Sequence, residues 1–315
     1  MMKINDIIGD AKTIGIAGHV RPDGDCMGSC MSLYNYLKKN RPDLDVRVFL
    51  EFVDKKFNII ENTDQIITTG YDGTKFDLFI SLDTASLDRL GLNLPFYENA
   101  KRTACIDHHA SNDGYADYNY ILPKASSASE VLYDLLDEDL IDKSIAEPMY
   151  MGIAHDSGVF RFQSTTPKTM RIAANMIEKG VNVNMILEET FFRKTYNQMM
   201  VTAKIQSEAV LALDGKCIYG YCTSEMMEEY GVTTKDLDAV VTSIRNVDGV
   251  EVAMFLYQLS EDSYKVSLRS KNYVDVSKIA VENGGGGHVR AAGAEIHGEL
   301  NDIINKLLNR IKQDI

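Results

Sequence analysis

The stretch TIGIAGHVRPDGD, residues 13–25, decides how the chain is read. It opens as a short apolar run, TIGIAG, with the length and composition of a buried strand. It closes as a polar turn carrying His19, Pro22, Asp23 and Asp25, after which apolar residues recur at helical spacing over about 26–39. A strand, a charged turn and a helix in that order form the opening unit of a mainly parallel α/β sheet.

The same rhythm continues outward. Further strands are predicted at VRVFL (46–50), FDLFISL (76–82) and RTACI (102–106), and helices at 126–138, 143–154 and 167–179. Ser126 to Glu130 supplies a capping signal for the first of these helices. Residues 183–212 lack Pro and Gly and read as one amphipathic helical segment. Beyond them, strands at 216–222, 250–259 and 263–270, with helices near 275–282 and 299–313, make a second, smaller α/β unit. The expected organisation is an N-terminal domain over 1–188, a helical connector over 189–212 and a C-terminal domain over 213–315.

A chain of 315 residues suits two domains of roughly 150 residues each. The formal net charge is -13. A protein that grips a long duplex by its phosphates needs a basic face, so this balance argues for small phosphorylated ligands instead. Five cysteines, without a CxxC pair, make a poor disulfide framework and suggest a reducing compartment. Cys26 and Cys30 share a helix face; small buried residues are the favoured reading, ahead of a soft-metal pair. No signal peptide opens the chain, and no run of about 18 apolar residues would span a membrane, so a cytoplasmic protein with no membrane partner is expected.

The chemistry lies in where Asp and His fall. His19, Asp23 and Asp25 follow the first strand, Asp83 ends FDLFISL, and Asp107-His108-His109 ends RTACI. Asp156 follows the apolar helix YMGIAH in the turn HDSG. In a parallel sheet the residues after each strand gather on one edge, where such sheets bind ligands. Carboxylates crowded there repel one another unless a cation intervenes. Oxygen ligands with a minority of imidazoles suit Mn²⁺ or Mg²⁺ better than zinc. Each residue has a plainer reading, since Asp favours turns and a lone His is more often hydrogen-bonded than ligating. Four such turns together weigh against coincidence.

These residues resemble the motifs of the DHH phosphoesterases. His19-x-x-x-Asp23-x-Asp25 with Gly28-Ser29 is similar to the first motif, Ser81-Leu82-Asp83-Thr84 to the second, and Asp107-His108-His109 to the one that names the family. Gly152 to Gly158 resembles the fourth, and GGGGH (284–288) with Ala291-Ala292-Gly293 resembles the associated C-terminal domain. The resemblance spans about residues 13 to 294, and the length is similar to that of the nanoRNase/pAp-phosphatase subfamily.

It implies two divalent ions, Mn²⁺ ahead of Mg²⁺, held by His19, Asp23, Asp25, Asp83, His108 and Asp156, with Asp83 bridging. It also implies that His109 faces the substrate phosphate and that Asp107 orients its neighbours. His155 stands where the family often has Thr, which leaves a further metal-binding His open. Arg269, Ser270, Gly286, Gly287 and His288 are implied to contact a nucleotide, with Arg290 beside them, in a cleft between the domains. One of Tyr115, Tyr118 and Tyr120 is a candidate to stack on a base.

The activity implied is hydrolysis of short oligoribonucleotides to mononucleotides, of 3′-phosphoadenosine 5′-phosphate to AMP, or of both. The partners are then a small nucleotide or short single strand, not a long duplex, and a homodimer is compatible. The rival enzyme is a phosphodiesterase for cyclic-di-AMP or its linear product pApA, which would share every motif. A family II pyrophosphatase fits the glycine–His signature less well, and a processive DNA exonuclease would need further domains. Outside enzymes, a non-catalytic nucleotide sensor is the alternative, against which intact metal motifs speak.

Overall fold

The computed structural model describes residues 2–237 and 240–315. The chain forms two compact units, the first ending at Arg193 and the second starting at Lys194.

In the first unit a short helix, α1 (Ile4–Ile8), precedes β1 (Thr13–Ala17), α2 (Gly24–Asn40) and β2 (Asp45–Phe49). Then come β3 (Leu78–Leu82), α3 (Leu94–Glu98), β4 (Thr103–Asp107), β5 (Tyr118–Ile121), α4 (Ala128–Leu135), α5 (Lys143–Asp156), α6 (Pro167–Glu178) and α7 (Val183–Leu187). The strands form a parallel sheet of order β2-β1-β3-β4-β5. The inner strands are near-continuous apolar runs because the sheet is covered on both faces. Ile14, Ile16, Leu78 and Ile80 point to the α2/α5 side, while Ala17, Phe49, Phe76, Phe79 and Phe96 fill the other. Gly15 belongs on that second face, since a Cβ there would run into the rings of Phe79 and Phe76.

Helix α5 crosses α2 at Gly28 and Gly152. A Cβ on Gly28 would stand 2.5 Å from the Pro148 carbonyl and 2.8 Å from Gly152 N. Only glycine lets the two backbones approach this closely.

In the second unit α8 (Tyr196–Glu208) leads into β6 (Val210–Ala212), β7 (Cys217–Cys222), α9 (Ser224–Tyr230) and α10 (Val240–Arg245). After them come β8 (Val252–Ser260), β9 (Ser263–Ser270), α11 (Val276–Glu282), β10 (Gly286–His288), β11 (Ala291–His297) and α12 (Leu300–Ile311). The sheet order is β10-β11-β9-β8-β7-β6, with β7 and β8 parallel and the other pairs antiparallel. One face packs on α11 and α12, the other on α8 and α10.

The stretch 183–212 is not one helical segment. A π-helical turn at Glu188–Phe192 ends it, α8 restarts at Tyr196, and Val210–Ala212 is an edge strand. Thr195 accounts for the restart, because its side chain caps α8 by accepting from Gln198 N. Among the described residues no helix is long and apolar enough to cross a membrane.

Candidate metal centre

Four turns at the carboxyl ends of β1, β3, β4 and α5 bring their acids and imidazoles together. Asp23 caps α2: its Oδ1 accepts from Asp25 N (3.0 Å) and Cys26 N (3.1 Å). Its Oδ2 is left 3.7 Å from His19 Nε2. Asp25, wholly buried, lies at the start of α4 and accepts from Ala128 N (2.6 Å) and Ser129 N (3.0 Å). A helix start suits an anion, because its N–H groups are unpaired and its dipole end is positive.

Asp83 stands in the middle. Its Oδ2 is 3.4 Å from His19 Nε2, and its Oδ1 is 3.5 Å from His108 Nε2. His108 Nε2 lies 3.1 Å from Asp156 Oδ2. Yet His108 Nε2 and Asp83 Oδ1 are buried with no hydrogen-bond partner. Buried polar atoms are rarely left so, and here both atoms are of kinds that can bind a metal ion. Donor atoms of Asp25, His108 and Asp156 approach within 4.8 Å of one another, as do those of His19, Cys26 and Asp83. Asp83 and His108 also group with His109, and the donor set as a whole fits divalent cations.

The electrostatics agree. Burial, then the charges of Asp83 and Asp156, push the Asp25 carboxyl well above its ordinary range. Burial also opposes the Asp83 anion, but His108 and His19 outweigh it and hold its carboxyl low. A pocket whose acids disturb one another this strongly favours a divalent ion.

The backbone is strained at three of the four turns. Arg21 (φ 55), Asp83 (φ 53), and Val159 and Phe160 (φ 56 and 62) adopt left-handed torsions without being glycine. Such torsions are costly, above all at β-branched Val159, and they persist where function over-determines them.

Behind this group, Asp107 is fully buried and accepts from His109 Nδ1 (2.7 Å) and Asn112 Nδ2 (2.7 Å). His155 is not grouped with the ligands: its Nε2 bonds Thr190 Oγ1 at 3.0 Å and its ring meets Phe191 edge-on. Burial pushes its pKa down to about 4. Cys26 and Cys30 are both buried on α2, and only Cys26 reaches the His19–Asp83 group. Tyr115 is committed to the fold, its hydroxyl lying 3.0 Å from Ser81 Oγ and donating to the Thr84 carbonyl.

In the second unit the register places His288 opposite Ala291, and Ala291 opposite Arg269. Residues opposite one another share a sheet face, so Arg269 and His288 flank the small Ala291 on one side. Gly286 lies opposite Gly293 on the same face, and a Cβ at Gly286 would meet nothing within 4 Å. Gly287 differs: its φ is +139 and a Cβ would press on the β11 backbone. Ser270 is a correction. Side chains alternate along β9, so Ser270 falls with Val266 and Leu268 on the opposite, buried face and cannot join Arg269. Arg290 gives Nη1 to the Val274 carbonyl (2.8 Å) and Nη2 to the Asn272 carbonyl, and so supports a loop.

Paired acids and imidazoles at the ends of a parallel sheet, with a glycine-rich strand in a second unit, define a metal-dependent phosphoesterase. The sequence model of the DHH family, N-terminal domain, matches residues 13–153, and that of the DHHA1 domain matches residues 214–314. The chain is 31% identical to the bifunctional oligoribonuclease and PAP phosphatase NrnA of Thermus thermophilus, covering 96% of this chain and 90% of that protein. It is 28% identical to the protein of the same name from Bacillus subtilis, over 90% of each. An exopolyphosphatase-related protein of Bacteroides fragilis shares the fold, with a TM-score of 0.90, 23% identity and coverage of 98% of this chain and 95% of that one. The chain belongs to the DHH family.

Proposed function

We propose that this enzyme hydrolyses short oligoribonucleotides to mononucleotides and 3′-phosphoadenosine 5′-phosphate to AMP, using two divalent ions, Mn²⁺ in preference to Mg²⁺. The observation that carries the reading is the Asp83 carboxylate, set between His19 and His108 with Oδ1 and His108 Nε2 otherwise unbonded. The substrate class is supported by relatives named for both activities and matched over nine-tenths or more of each chain.

His19, Asp23 and Asp83 would hold one ion, and Asp25, Asp83, His108 and Asp156 the other. When bound, the pair supplies a water acidic enough to attack phosphorus near neutral pH and offsets charge on the phosphoryl oxygens. The remaining work belongs to the chain. Asp107 fixes the His109 ring through Nδ1, and an imidazole so oriented donates a hydrogen bond to a phosphoryl oxygen or a proton to the leaving one. Arg269 and His288 grip phosphate across Ala291, with Gly286 on the same face allowing close approach. The Ser270 side chain is buried on the other face of β9.

The test is nucleotide and phosphate release, with Mn²⁺, from a di- to tetra-ribonucleotide, from 3′-phosphoadenosine 5′-phosphate and from cyclic-di-AMP. Each assay is repeated with Asp83→Ala. Turnover of the first two that the variant loses supports the proposal. Preference for the cyclic compound reassigns the enzyme to dinucleotide signalling, and nucleotide binding without turnover makes it a sensor.

A further inference from the structure

We infer that Tyr273 is the surface on which a nucleobase of the substrate stacks, an assignment that rests on the nucleotide reading above.

Tyr273 lies in the loop between β9 and α11 and is 55% exposed. Among the described residues its hydroxyl makes no hydrogen bond and its ring no aromatic contact. The backbone around it is held from two sides. Glu251, a carboxylate only 3% exposed, accepts from Asn272 N (3.0 and 3.1 Å), Asn272 Nδ2 (3.0 Å), Tyr273 N (2.8 Å) and Val274 N (3.0 Å). From the other side Arg290 binds the carbonyls of Asn272 and Val274. Val274 and Val276 anchor the loop in the core.

Burying a carboxylate is costly unless its oxygens are fully hydrogen-bonded, and here they are spent on one short loop. A simple chain reversal needs no such device. The device fixes the backbone that presents one exposed aromatic ring, which lowers the ordering cost of stacking on it.

The loop also adjoins the residues assigned to phosphate. It follows β9 directly after Arg269 and Ser270. Ser270 N donates to the Arg290 carbonyl (3.1 Å) and Val276 N to the Val289 carbonyl (3.0 Å), which ties the loop to the turn after His288. The assignment places on this loop the base of a nucleotide whose phosphate sits between Arg269 and His288. Base–aromatic stacking tolerates any base, as suits an enzyme for short oligonucleotides of any sequence.

The experiment compares wild type, Tyr273→Ala and Tyr273→Trp, all loaded with Mn²⁺. Expected for Tyr273→Ala is a KM for 3′-phosphoadenosine 5′-phosphate raised roughly tenfold, the size of one base stack, with kcat within about twofold. Ribose 3,5-bisphosphate lacking a base should show no such change, and Tyr273→Trp should restore KM. AMP affinity is measured by calorimetry on the same three proteins. Equal KM and equal AMP affinity in wild type and Tyr273→Ala overturn the assignment. If wild type turns over no nucleotide, the proposed function fails, and the AMP titration still decides Tyr273.

Discussion

Gly152 lies against Asp25 so closely that a Cβ on the glycine would stand 2.6 Å from the Asp25 carboxylate oxygen Oδ1. Helix α5 thus shapes the proposed metal centre through an absent side chain as well as through Asp156 at its end. Gly152→Ala must turn aside the Ser129 hydroxyl, which stands closer still to that Cβ, and must also either move Asp25 off Ala128 N and Ser129 N or push α5 away from α2. Either displaces a proposed ligand of the second ion. Mn²⁺ affinity, measured by calorimetry, is expected to fall by about tenfold to a hundredfold, as when metal-orienting contacts are lost. Unchanged affinity and turnover would show that Asp25 is not a ligand.

Asp107 touches His109, not the proposed ions, so its substitution should separate chemistry from metal binding. Asp107→Asn keeps the shape but removes the anion that accepts from both His109 and Asn112. An Asn amide can instead donate to Nδ1 and impose the other tautomer. The expected outcome is a drop in kcat of about tenfold or more with Mn²⁺ stoichiometry intact. A kcat equal to wild type would remove His109 orientation from the mechanism.

What was legible in the sequence was the part fixed by local rules. Apolar strands followed by Asp and His must gather on one edge when the sheet is parallel, and His19, Asp83 and His108 do so. What stayed hidden depends on partners far along the chain. The Gly28–Gly152 crossing and the grip of Ala128 and Ser129 on Asp25 join segments about a hundred residues apart, and no short-range pattern reports them. Two features were readable and missed. The alternation of SYKVSLRS puts Ser270 with the apolar residues, and a lone Glu251 between Val250 and Val252 signals a buried acid.

Glu251 also predicts an acid response. Burial raises the cost of its charge, but the amides of Val274, Tyr273 and Asn272 outweigh that and hold its carboxyl below the usual range. A depressed folded pKa contributes stability above the unfolded pKa, about 4.3 for Glu, and loses it as pH falls through the lower folded value. Glu251→Gln trades one accepting oxygen for a donor facing backbone N–H groups. It should destabilise the second unit by about 1–3 kcal/mol at neutral pH. The difference from wild type should shrink in acid, as thermal melts at pH 7 and at a pH below the depressed folded value would record. An equal difference at both pH values would contradict the charged-acceptor account.

Two adjacent glycines separate a structural demand from a functional one. Gly287 has φ +139, and a Cβ on it would stand 2.6 Å from both the Ala291 carbonyl and Ala292 Cα, so the fold itself requires glycine there. Gly286 has no such need, because a Cβ meets nothing within 4 Å. The space beside it opens on the face shared with Arg269 and His288, where the substrate phosphate is proposed to lie. Gly287→Ala should therefore lower thermal stability, by about 1–3 kcal/mol for a strained, overpacked backbone. Gly286→Ala should melt like wild type yet raise KM for 3′-phosphoadenosine 5′-phosphate about tenfold, because its methyl occupies the position of the phosphate rather than of the protein. A Gly286→Ala enzyme with wild-type KM would mean that phosphate does not approach this strand. The grip would then fall to side chains alone.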